Sequence, residues 1–176
     1  MKPALLVIDV QKQFFAISPE TAASLNQAIP FINEAINFFR EKKLPIIAIQ
    51  HVDEVKGLVP GVPGFDLPEA LNILPDDQHI QKTYGNAFNK TELEPILQNL
   101  GVDTLILCGF CAEYCVLSTY RGALDKDLTP ALLRWGLASI NTANIPFVEN
   151  IHDNISLHLL KQVLKGSRPA TPGHCL

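Results

Sequence analysis

No stretch of this chain reaches the eighteen or so consecutive apolar residues that a membrane-crossing helix needs, so no membrane span is expected. It also has no basic cluster. With a net charge of −4, a nucleic-acid surface is not expected. A secreted disulfide framework is missing too: of four cysteines, three crowd together at 108, 111 and 115. That usage fits a reducing, cytoplasmic setting. Nor does the N-terminus look like a secretion signal, because Asp9 puts a carboxylate inside what would be its apolar core. There is no internal repeat and no linker. What remains is 176 residues, 47% of them hydrophobic, enough for one domain (1–176) with an ample core.

The stretch from Asp103 to Lys126 organises the rest. Leu105-Ile106-Leu107 reads as a strand buried on both faces, and Gly109 breaks the run. From Tyr114 the period becomes helical, with small residues that let a helix lie close to a sheet. Cys115 is therefore expected within one residue of a helix N-terminus, just past the C-terminal end of a strand. There the helix dipole and free N–H groups are expected to lower a thiol pKa. Open α/β sheets place their ligands at such points.

Pro3 to Asp9 reads as a central strand ending in a carboxylate. A helix from Ser18 to about Lys43 follows, with Pro30 expected to kink or divide it, and Ile46 to Ile49 form a second strand. From His51 to Asp77, four prolines and three glycines predict a long loop that walls or covers a site. His79 to Lys82 is a short third strand. Thr91 and Glu94 have capping-box spacing for a helix ending at Gly101. Leu128 to Leu133 is a fifth strand, Asn144 to Lys165 is mostly helical, and 166–176 reads as a loose tail. No clear sixth strand is visible. The fold class is α/β: a doubly wound, mainly parallel sheet of five to six strands with helices on both faces.

If the first and fourth strands are neighbours, Asp9 and Cys115 face one crevice, where the carboxylate could take the thiol proton. The alternative is that Asp9 only caps the turn after its strand. Lys82 is either a cation favouring both anions or a solvated surface charge. Cys108 should be inert strand core, while Cys111 precedes the helix. His51 either contacts substrate or pairs with Asp53. Phe14, Tyr84, Phe88 and Tyr114 either wall a small apolar pocket or are ordinary core. His152, His158 and His174 read as structural.

Asp9-Val10-Gln11 with Phe14, Lys82 with Ala87-Phe88, and Gly109-Phe110-Cys111-Ala112-Glu113-Tyr114-Cys115-Val116 stand in the order and spacing of three motifs. Together they resemble the isochorismatase-like cysteine hydrolases over about residues 4 to 126. The resemblance implies a Rossmann-like three-layer fold and a catalytic triad of Asp9, Lys82 and Cys115. It also implies a cis peptide just before Ala112, and an oxyanion hole from the N–H groups of Ala112 and Cys115. Gln11, Phe14, His51, Tyr84, Phe88 and Tyr114 would contact a small amide-like substrate, which the thiolate attacks to form a thioester. A homo-oligomer, dimer or tetramer, is the implied default, with no cofactor.

The chain departs from the family pattern in places. Ala112 stands where many members have threonine, and the usual Asp-Ala is absent at Gly136-Leu137. The metal-binding Asp-x-His with a second histidine is replaced by Gln50-His51-Val52-Asp53, so no metal is expected. Three rival readings remain. Cys108 and Cys111 form a C-x-x-C that could serve thiol–disulfide redox chemistry. Cys108, Cys111 and Cys115 could be a zinc site. The protein could also be a non-catalytic family member.

Overall fold

The structure, a computed structural model, describes residues 1–165. The tail read at 166–176, with His174, lies outside the described residues. Six strands form one sheet: β1 (Pro3–Ile8), β2 (Ile46–His51), β3 (Gln78–Lys82), β4 (Thr104–Gly109), β5 (Thr129–Leu137) and β6 (Asn154–Ile155). All are parallel, in the order β3-β2-β1-β4-β5-β6. The chain winds outward one way from β1 and the other way from β4, so the topological switch lies between these two central strands.

β1 is PALLVI and β4 is TLILCG, every residue buried, as strands covered on both faces must be. Alternate side chains of β1 go to opposite sides. Leu5 and Val7 join a core under the long helix α2 (Pro19–Glu41) and α6 (Leu157–Leu164). Ala4, Leu6 and Ile8 join a second core under α3 (Leu93–Leu100) and α4 (Leu117–Leu124), together with Val148 of α5 (Asn144–Asn150). This is the expected three-layer architecture.

Four local expectations change. Pro30 lies inside α2 without dividing it. Four residues of β5 extend past the expected end at Leu133, with a register shift against β4 between Leu107 and Gly109. The sixth strand exists, but it has only two residues, too short to leave a periodic signal. α2 starts where Ser18 accepts a hydrogen bond from Thr21 N at 3.1 Å. α3 begins at Leu93, two residues later than the capping-box spacing suggests; Thr91 accepts from Leu93 N at 3.2 Å. Gly101 closes it in the left-handed conformation, φ 63°.

Candidate active site

The carboxyl ends of β1, β3 and β4 bring three side chains together. Asp9 leaves β1 with a left-handed backbone, φ 52°. α1 (Lys12–Phe15) starts after Gln11 with no side-chain cap, so Asp9 is not a turn cap. Lys82, last in β3, is 2% exposed rather than a surface charge. Its Nζ donates to Asp9 Oδ2 at 2.7 Å and to Cys115 Sγ at 3.2 Å, and lies 3.3 Å from His51 Nδ1. An ammonium has no acceptor, so His51 Nδ1 must accept, which leaves the proton on Nε2. The other Asp9 oxygen, Oδ1, is buried and has no hydrogen-bond partner among the described residues.

These atoms also bear on where a cation can sit. Asp9, His51 and Cys115 each offer one ligand atom within 4.8 Å of the others, the spacing of a cation site. The Lys82 ammonium already binds all three, so a cation is built into the chain there. Cys108 and Cys111 do not belong to this group; Cys108 is fully buried and donates to Leu6 O at 3.4 Å.

Cys115 lies in a π-helical turn, Ala112–Val116, that runs into α4. Helical structure therefore starts three residues before the thiol, earlier than the sequence suggests. The expected lowering of its pKa is not found. Burial, then the neighbouring Asp9 charge, pushes the Cys115 thiol up to about 12, against the pull of Lys82. Burial also raises Asp9 above the usual carboxylate range, with Lys82 opposing it. Burial, then Lys82, lowers His51, which keeps the imidazole neutral.

Ahead of the π turn, Gly109 has φ 112°, and a Cβ there would stand 2.1 Å from Ile8 O. Only glycine fits. The cis peptide lies between Phe110 and Cys111, one bond earlier than expected. The Ala112 N–H is not free, because it donates to Ala138 O at 2.9 Å beyond the end of β5. It is Cys111 whose N–H donates to no acceptor among the described residues. The N–H left without a partner is therefore that of Cys111 and not that of Ala112, because a backbone carbonyl just past β5 claims the later amide.

A cavity of about 480 Å³ opens over Asp9 and Cys115. Phe14, His51 and Tyr114 line it, as expected, and Phe14 stacks on Phe110 with ring centroids 5.0 Å apart. Gln11, Tyr84 and Phe88 do not line it. Gln11 is fully buried and braces the end of β2, donating to His51 O and accepting from His51 N at 2.7 Å. Tyr84 is 41% exposed and accepts from Lys90 Nζ, and Phe88 is buried in the α3–α4 core. Asp53 pairs with Lys56, so His51 is not its partner. Sequence reasoning missed Phe110, Ile17, Leu58 and Ile140 as walls. Leu58 comes from the long loop, which bears out the loop's reading as a site wall.

An open, doubly wound α/β domain with buried Asp9 and Lys82 beside a half-buried Cys115 at the switch point of its sheet is thus defined. The Isochorismatase domain matches residues 3–147, and the chain belongs to that family. Among relatives, streptothricin hydrolase of Streptomyces noursei is 32% identical over 157 residues. That match takes in 86% of this chain but only 54% of the hydrolase, so the chain spans about half its length. A probable inactive nicotinamidase of Arabidopsis thaliana is 26% identical over 84% of this chain and 88% of its own. The crystal structure of an isochorismatase-like hydrolase from Alkaliphilus metalliredigens superposes with a TM-score of 0.85 at 25% identity, covering 93% of this chain and 99% of that one.

Proposed function

We propose that this chain is a hydrolase that cleaves the C–N bond of a small amide or related compound, with Cys115 as nucleophile and a thioester intermediate. The observation that carries the reading is the Lys82 ammonium hydrogen-bonded to both Asp9 and Cys115 at the head of a cavity, with Asp9 Oδ1 left without a partner among the described residues. Names among the relatives, such as streptothricin hydrolase, support the reaction class.

In the resting site the proton sits on sulfur. As substrate enters, Asp9 Oδ1 takes the Cys115 proton while sulfur bonds to the carbonyl carbon. The carbonyl π pair moves onto oxygen, held by the N–H groups of Cys111 and Cys115. The tetrahedral intermediate collapses, the C–N bond breaks, and protonated Asp9 gives its proton to the departing nitrogen. Asp9 then takes a proton from water. The resulting hydroxide adds to the thioester, and the acid leaves as sulfur is reprotonated. Lys82 stays bonded to both groups throughout and offsets the negative charge.

The relative named as inactive keeps a non-catalytic reading in view, and the redox reading requires a fully buried Cys108 to react. A homo-oligomer acting on a small molecule in the cytoplasm remains part of our reading, and light scattering would measure the oligomer. The deciding experiment is turnover of a broad amide panel by the wild type and by Cys115→Ala. The variant should fold normally and lose at least about 10³-fold in kcat/KM. Full turnover by Cys115→Ala would end the proposal, as would a panel with no substrate alongside an unalkylated Cys115.

A further inference from the structure

Next to the nucleophile lies a polar cluster that the reaction above does not use. Glu113, in the π turn, faces three donors. Ser139 Oγ donates to its carboxylate at 2.7 Å, Asn144 Nδ2 at 2.7 Å, and the Cys111 thiol at 3.1 Å. Ser139 is fully buried and is itself fixed: its hydroxyl oxygen accepts from Asn141 N at 3.0 Å, and its own N–H donates to Ser24 Oγ at 3.1 Å. Burial works against the Glu113 charge, but the hydrogen bonds outweigh it and hold the carboxyl below its ordinary value. Burial, together with the facing Glu113 charge, pushes the Cys111 thiol up to about 12. Cys111 is thus a fixed S–H donor, not a second nucleophile.

From this we infer that Glu113 is a positioning residue: by tying down the Cys111 side chain it aims the Cys111 N–H at the oxyanion. The inference rests on the hydrolase reading and on Cys111 as one of the two oxyanion donors. A purely structural carboxylate would need only to be satisfied. This one is joined to the segment just past β5 through Ser139 and to α5 through Asn144, and it grips a side chain whose backbone N–H, at the cavity, has no partner among the described residues. All three neighbours donate to it, so truncation by Glu113→Ala leaves the Cys111 thiol without its acceptor. Glu113→Gln keeps an oxygen toward Ser139 and Cys111, and the Asn144 amide can turn its own oxygen to the new N–H₂, so this conservative variant should keep the grip.

The test is binding of benzaldehyde to the full-length protein. The Cys115 thiol adds across the aldehyde C=O, the new S–C bond forming as the π pair becomes an alkoxide that takes up the proton, so the hemithioacetal probes the oxyanion donors. In parallel, the rate of Cys115 alkylation by iodoacetamide reads nucleophile activation alone. Glu113→Ala should weaken benzaldehyde binding by roughly 10-fold to 100-fold, up to the lower end of what loss of a whole oxyanion donor costs. Its alkylation rate should stay that of the wild type. Glu113→Gln should keep most of the affinity, and Cys111→Ala should reproduce the loss should Glu113→Ala not fold. Wild-type affinity in both Glu113→Ala and Cys111→Ala would overturn this inference and leave the hydrolase reading intact. A wild type that neither binds the aldehyde nor is alkylated at Cys115 would overturn both.

Discussion

Lys82 is the residue on which the electrostatics of the site turn. It stabilises the Asp9 carboxylate that burial alone would neutralise, and its positive charge is among the causes that keep His51 unprotonated. Under the proposed mechanism Asp9 must be ionised to act. Activity should therefore fall as pH drops through a pKa above the usual carboxylate range, the direction set by burial. Lys82→Met removes the opposing charge, so that acid limb should move to still higher pH while kcat/KM falls; a pH–rate profile of both proteins checks this. If the limb stayed in place, Asp9 would not be the titrating base. Cys108 makes the contrast. Buried in β4 and bonded to Leu6 O, it should tolerate Cys108→Ala with turnover intact and a loss of about 1–3 kcal/mol in urea unfolding.

At the scale of elements, the turn from β4 into the π turn sets what Cys115 can reach. Gly109 is where the two central strands come too close for any side chain. Gly109→Ala would set a methyl against the Ile8 carbonyl and hold alanine at φ 112°, so a loss of at least about 3 kcal/mol is expected in denaturant unfolding. Wild-type stability would mean that the approach to β1 is looser than described. A second small residue does related work across the sheet. The Cβ of anything but glycine at 122 would meet the Asn86 side chain at 2.3 Å, and Asn86 Oδ1 caps Phe88 N. α4 can thus lie against the segment that follows Lys82. Ala87 N donates to Thr119 Oγ1 at 3.0 Å and fastens the same pair. The motif residues after Lys82 belong to this clamp, which is why Phe88 is core and Tyr84 is surface.

The whole molecule is a sheet buried on both sides, and β1 shows it most directly. Leu5 and Leu6 are each fully buried but in opposite cores, one under α2 and the other under α3 and α4. Leu5→Ala and Leu6→Ala should each cost about 2–5 kcal/mol by urea denaturation, with no exposed face to spare either. A near-neutral result for one would mean that its layer is not packed. No helix among the described residues is long and apolar enough to cross a membrane. The cavity sits over the reversal of strand order, at the carboxyl ends of β1, β2 and β4, which supply Asp9, His51 and Phe110 to its walls.

Much of this was legible in the chain itself. Strands covered on both faces must be apolar throughout, so β1 and β4 declared themselves, and Gly109 marked where the second one stops. Asp9 and Cys115 could be named because each stands just past such a strand; Lys82, at the end of the largely exposed β3, came only with the family resemblance. A two-residue β6, the proline carried inside α2 and the late start of α3 left no such pattern, since short or tolerated features have no period. Tertiary structure alone decided which backbone N–H is left without a partner among the described residues, because Ala138, just past β5, claims the amide of Ala112 and leaves that of Cys111. It also decided that Gln11 is a brace and Phe110 a wall, and that Glu113 meets Ser139 and Asn144. Local sequence records what a residue must bury. Which hydrogen-bonding partner reaches it depends on elements that lie far away along the chain and come together only in the fold.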